Sequence, residues 1–106
     1  MVPQFIGDGI ENAVFRCAAC NGHCLHHERV EIFERTEDAE RGLRVVVEAG
    51  KAEIDRELDG NPSRRRHGLK IFFRCEFCRK KSIFTIAQHK GVSLVDWIVL
   101  EDGSSA

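Results

Sequence analysis

Hydrophobic and polar positions alternate in several separate stretches of this chain. In HHERVEIFER, Val30 and Ile32 fall on one side and Arg29, Glu31 and Arg35 on the other, which predicts a strand over about 25–35. The same parity places Cys24 and His26 with Val30 and Ile32. LKIFFR, with Leu69, Ile71 and Phe73 on a shared face, predicts a strand that runs into FRCEFCR. KSIFTIAQH, rich in β-branched residues and Phe, predicts another that runs out of it. VSLVDWIVL fits a strand or a short helix capped by Ser93.

The stretch LRVVVEAGKAEIDREL carries two patterns at once. Leu43, Val45 and Val47 alternate, as do Ala52, Ile54 and Leu58 after a turn at Gly50-Lys51; Leu43, Val46, Val47, Gly50, Ile54 and Leu58 also fall at helical spacing. Three consecutive valines favour the pleated surface of a strand, and Gly50 weakens a helix interior, so a hairpin is expected over 43–58. The polar segment TEDAERG is a connector with room for one helical turn ended by Gly42. DGNPSRRRHG is a turn-rich loop. The expected fold is therefore a mostly β, small antiparallel domain.

Length sharpens this picture. A chain of 106 residues and 12.0 kDa is a single domain over 1–106, with 1–13 a loose lead-in and 101–106 a loose tail. With 42% hydrophobic and 31% charged residues the core is modest, a setting in which a metal or covalent cross-link is a common supplement. No apolar run approaches the roughly 20 residues of a membrane helix, and no leader-like start is visible, so a cytoplasmic location without membrane contact is expected.

Five cysteines, an odd number, argue against a disulfide framework. Four of them form two Cys-x-x-Cys pairs, in FRCAACNGHC and in FRCEFCR, with 54 residues between Cys20 and Cys75. Two intervening residues let both sulfurs of a pair turn to one ion, so each pair supplies half of a tetrahedral site. Iron could fill the same cage. A thioredoxin-like dithiol would need one pair opening a helix in a βαβ setting, whereas here both pairs lie between strands.

The doubled phrase resembles the zinc-ribbon superfamily, with its rubredoxin-like knuckles, over residues 14–24 and 72–86. That resemblance implies one structural zinc ion, Zn2+, held by Cys17, Cys20, Cys75 and Cys78, and a binding or adaptor module rather than a catalyst. Two features depart from the family pattern: no glycine directly follows either second cysteine, and the span exceeds the usual 15–20 residues. A threefold longer loop costs only about 1 kcal/mol more closure entropy. Asn21-Gly22 suits the left-handed turn after a second cysteine better than Arg79 does.

Around the first knuckle, Cys24 and His26 are candidates to support the metal ligands from behind, Cys24 as a small buried thiol. Charge is divided: residues 28–59 hold eleven acids against six Lys/Arg, and residues 61–90 one acid against nine. Arg64, Arg65, Arg66, Lys70, Arg79, Lys80 and Lys81 could grip nucleic-acid phosphates, or the arginine loop could pair with the acidic half of the chain. No phosphate-cradling loop, triad order or paired-carboxylate spacing marks an enzyme. A zinc-stapled module for a protein partner or for self-association is the leading expectation, a nucleic-acid-binding ribbon the alternative, and a metalloenzyme the least supported.

Overall fold

A computed structural model describes residues 14–100 of the chain. Strands β1 (Leu25–Glu34), β2 (Leu43–Glu48), β3 (Lys51–Asp55), β4 (Gly68–Cys75), β5 (Lys81–His89) and β6 (Val92–Leu100) form one antiparallel sheet in the order β3-β2-β1-β4-β5-β6. No helix occurs among the described residues. The hairpin expected over 43–58 is present, but its second strand ends at Asp55 and leaves Leu58 outside it. Its two-residue turn is Ala49-Gly50, one position earlier than expected, and both residues have positive φ, the geometry that matches strand twist. Residues 92–100 are a strand, set by the tight Lys90-Gly91 turn, also at positive φ. The TEDAERG connector forms a turn closed by the Ala39 amide on the Thr36 carbonyl, with no helix.

Strand register sorts the side chains. On one face, Ile54, Val45, Ile32, Leu69, Ile86 and Val95 stand side by side in a row that crosses all six strands. A second row, Ala52, Val47, Val30, Ile71, Phe84 and Trp97, lies next to it. Neither row contains a polar residue. Phe73, Phe84 and Trp97 form the buried cluster at one end of this face, with Phe15, Ala18, Leu25, Ile71 and Ile86 packed against them.

The opposite face is mixed. Phe33 is buried there beside Gly68, its partner in register, and Val46 is buried further along. The 58–62 loop crosses above: a Cβ on Gly68 would collide with Asn61 and Pro62, so this position needs its bare backbone. Arg44 grips Asp55 with two bonds of 3.0 and 2.6 Å, and Glu31, buried, lies between Arg29 at 2.7 Å and Lys70 at 3.7 Å. A buried carboxylate is tolerable only when paired in this way.

One expectation about β1 is corrected. Its pairing with β4 shifts between His27 and Arg29, a β-bulge that reverses the alternation. Leu25 and His27 therefore share the face of Val30 and Ile32, while Cys24 and His26 turn to the other side. Parity counted through a bulge fails by one residue, and one residue is a whole face.

Candidate metal centre

Both knuckles are built by the same backbone bonds. In the first, the Cys17 amide donates to the Gly22 carbonyl (2.8 Å) and the Asn21 amide to the Cys17 carbonyl (2.8 Å). In the second, the Cys75 amide donates to the Lys80 carbonyl (3.0 Å) and the Arg79 amide to the Cys75 carbonyl (3.1 Å). Each loop closes through a left-handed residue directly after its second cysteine, Asn21 at φ 65° and Arg79 at φ 64°. Asparagine visits this region readily; arginine does so at a cost of about 1 kcal/mol. The second knuckle thus adopts the geometry despite its sequence.

The four sulfurs of Cys17, Cys20, Cys75 and Cys78 lie within 4.8 Å of one another. Across the knuckles, Cys17 Sγ is 3.7 Å from Cys78 Sγ and Cys20 Sγ is 3.6 Å from Cys75 Sγ. A tetrahedron with metal–sulfur bonds near 2.3 Å has an edge of about 3.8 Å. These separations fit that edge and are far beyond a disulfide bond of about 2.05 Å. The pairing is crossed, each knuckle facing the other, so one ion would tie the start of the described chain to the β4–β5 turn.

The sulfurs are supported from the backbone. Ala19 and Gly22 amides point at Cys17 and Cys20 sulfurs, at 3.3 and 3.4 Å. Burial pushes the Cys17 thiol up to about 12. Burial also acts upward on Cys75, but amides of Cys78 and Phe77 and the thiols of Cys20 and Cys78 outweigh it and bring the group down to about 7. Four thiolates this close repel one another, and a divalent cation at their centre relieves that repulsion. An all-sulfur, closed tetrahedral set suits a soft or borderline structural metal and leaves no open position for substrate.

Packing fixes the knuckles to the sheet and to each other. Phe15 sits two residues before Cys17 and Phe73 two before Cys75; their rings meet edge to face at 6.0 Å. Phe15 also contacts Phe84 (5.1 Å) and Trp97 (5.7 Å). Phe15 carries no role in the sequence analysis, although its signal is the repeated Phe-Arg-Cys phrase itself. Gly22, expected only as part of the turn after Cys20, has a second part: a Cβ there would strike the Phe77 ring of the opposite knuckle. The Glu76 amide bonds the Cys24 carbonyl at 2.9 Å, joining the second knuckle to the root of β1.

Cys24 and His26 lie outside the four-sulfur group. His26 Nε2 faces the Glu76 carboxylate at 3.3 Å, both side chains more than half exposed. Desolvation, with the Glu76 carboxylate behind it, raises the Cys24 thiol.

The basic residues divide between two places. Arg65 pairs with Asp38 (2.6 Å) and Glu37 (3.2 Å), and Arg66 pairs with Glu37 (2.9 Å). Buried Ser63 locks the loop, donating to the Gln88 carbonyl and accepting from the Arg65 and Arg66 amides. Asn61 and the Arg35 guanidinium hold the same loop, Asn61 Nδ2 donating to the Arg66 carbonyl (3.0 Å) and Arg35 to the Arg64 carbonyl (2.6 Å). Lys70 and Lys81 lie against Glu31 and Glu28. Arg64 is exposed on the loop, while Arg79 and Lys80 are exposed on the second knuckle. The loop abuts the far end of β5 from Lys81, so the two basic groups stand about 25 Å apart, given the rise of a nine-residue strand. They do not form one patch. No protein-family model, no curated protein and no solved structure matches this chain.

Proposed function

We propose that this protein is a small interaction module whose single sheet is stapled by one structural zinc ion held by Cys17, Cys20, Cys75 and Cys78. The crossed sulfur separations of 3.6 and 3.7 Å carry this reading, because four thiols brought to a tetrahedral edge from distant parts of the chain have no other chemical purpose so well served. The four-thiolate set suits zinc or iron alike, and the resemblance of the two knuckles to zinc ribbons favours zinc. The interaction role draws on the two uninterrupted apolar rows, which offer a partner far more contact area than the divided basic groups offer to phosphates.

Metal analysis of protein purified without chelator tests the first half: one zinc per chain is expected. Cobalt substitution should give an all-thiolate spectrum unaffected by Cys24→Ser. A chain that contains no stoichiometric metal and stays folded in EDTA would sink the proposal.

A further inference from the structure

Two polar concavities of this molecule differ in charge. One, of about 320 Å³, has Arg29, Lys70 and Lys81 on its walls against Glu28, Glu31 and Glu48, so its own side chains balance it. The other, of about 230 Å³, is lined by Arg35, Arg41, Arg56 and His67 against a single acid, Glu34. Three guanidinium groups facing one carboxylate leave an excess of two positive charges, in a chain whose formal net charge is -1. Topology gathers these residues. Arg35 follows β1, Arg41 stands just before β2, Arg56 follows β3 and His67 precedes β4. In an antiparallel sheet those four strand ends lie together. They lie at the end away from the knuckles, about 30 Å off along the ten residues of β1.

Among the described residues none of the three guanidinium groups pairs with a carboxylate. Arg35 is held by carbonyls instead, its Nε donating to Ala39 and its Nη1 to Arg64, each at 2.6 Å. Carbonyl oxygens fix the position of this cation without cancelling its charge. Asp38 feels Arg35 only through space, because Arg65 takes its carboxylate at 2.6 Å. Arg56 reaches only the Gly42 carbonyl, at 3.4 Å. The Arg35 amide donates to His67 Nδ1 at 2.8 Å, which puts the neutral ring's proton on Nε2 and leaves a donor there.

We infer that this end of the sheet binds a small phosphate-bearing ligand, with Arg35 as the fixed cation and Arg41 and Arg56 closing on the anion from the solvent side. Charge chooses the ligand: an excess of two matches a phosphate group, which carries about -2 above its second pKa of about 6, and overshoots a lone carboxylate. The guanidinium fork also suits paired phosphate oxygens. Size sets the bulk of the ligand. At about 230 Å³ the concavity is smaller than the roughly 300 Å³ at which pockets for drug-sized molecules begin, so a phosphate with a short substituent fits and a whole nucleotide does not. The site stands apart from the four sulfurs and goes beyond the interaction role.

Titration calorimetry of the full-length chain with inorganic phosphate, at about pH 8 and low salt, tests the inference. One phosphate per chain is expected, with Kd at or below about 1 mM. Arg41→Gln and Arg56→Gln, both exposed and outside the strands, should each weaken binding by about fivefold or more. Lys51→Gln removes the same charge at the other end of β3 and should leave binding unchanged. Acetate should bind about tenfold more weakly than phosphate. The thermal unfolding midpoint checks that each variant keeps its fold. No saturable binding up to about 10 mM phosphate overturns the inference. So does binding that Lys51→Gln weakens as much as Arg41→Gln and Arg56→Gln do, since that would report net charge alone. Equal affinity for acetate overturns the choice of phosphate. A single-stranded oligonucleotide preferred over inorganic phosphate, through the same arginines, overturns the small ligand in favour of a nucleic-acid backbone. Metal content measured on the same samples keeps these outcomes separate from the zinc proposal.

Discussion

The two ends of the apolar sheet face have the same kind of residues and different fates. At the knuckle end, Trp97 and Phe84 are both 7% exposed; at the β3 end, Ile54 is mostly in solvent. The strands do not account for the difference, since both ends belong to the same rows. What differs is a cover, Phe15 and Ala18, carried by the segment that holds Cys17 and Cys20. Burial at this end thus depends on a short stretch with no strand pairing of its own, held down by aromatic contact and by sulfurs that converge with those of the other knuckle.

That contrast can be broken at the four-cysteine centre. Chelation, or Cys75→Ser, should release the cover and forfeit the metal-linked stabilisation, on the order of 10 kcal/mol of apparent binding free energy for four-ligand zinc sites. The chain's single Trp, Trp97, reports the outcome directly: its emission should shift to the red as the cluster meets water. Unchanged emission in metal-free protein would show that the cover holds by packing alone.

A smaller change separates packing from metal. Phe15→Ala should lower stability by about 2–3 kcal/mol in denaturant titration while leaving one metal per chain, since the ring contributes packing against Phe73, Phe84 and Trp97 and no metal ligand. Loss of metal with the ring would mean that the two holds cannot be separated.

The knuckles themselves provide a finer comparison. Arg79→Gly should stabilise by about 1 kcal/mol and Asn21→Gly by less than half of that, because arginine bears the larger left-handed strain. Equal gains in thermal denaturation would refute the strain argument.

The smallest effect expected is in acid. Arg65 hydrogen bonds, opposed in part by desolvation, hold the Asp38 carboxyl below its ordinary value of 3.8. A group lowered in the folded state stabilises above the unfolded pKa and loses that contribution as pH falls through the folded one. The destabilising effect of Asp38→Asn should accordingly be present at pH 7 and vanish below the folded pKa of Asp38. A penalty that persists there would belong to the turn, not to the charge.

Much of this architecture was visible in local pattern. Alternation located β1, β4 and β5, three valines decided for the 43–55 hairpin over a helix, and the two Cys-x-x-Cys pairs marked the four residues whose sulfurs converge. Such features were legible because each is fixed by neighbours a few residues away. The side on which Cys24 and His26 lie was not, because the bulge between His27 and Arg29 is imposed by pairing with a strand more than forty residues distant. Arg79 at positive φ was equally hidden: its conformation follows from closing the second loop, against its own preference. For residues 92–100, the alternation of one edge strand could not choose between strand and helix until β5 offered a partner.

By itself, then, the sequence determined most of the strand-forming segments, the β2–β3 turn to within one residue and the four thiols, since periodicity, turn chemistry and spacing act over short distances. Tertiary structure alone decided that the sulfurs meet in crossed pairs, that Arg65 and Arg66 fold back onto Glu37 and Asp38, and that the rows join across six strands into one apolar face. Those outcomes depend on register between segments far apart in the chain. No local pattern encodes register, because a shift of one residue changes every cross-strand neighbour while leaving each strand's own sequence untouched.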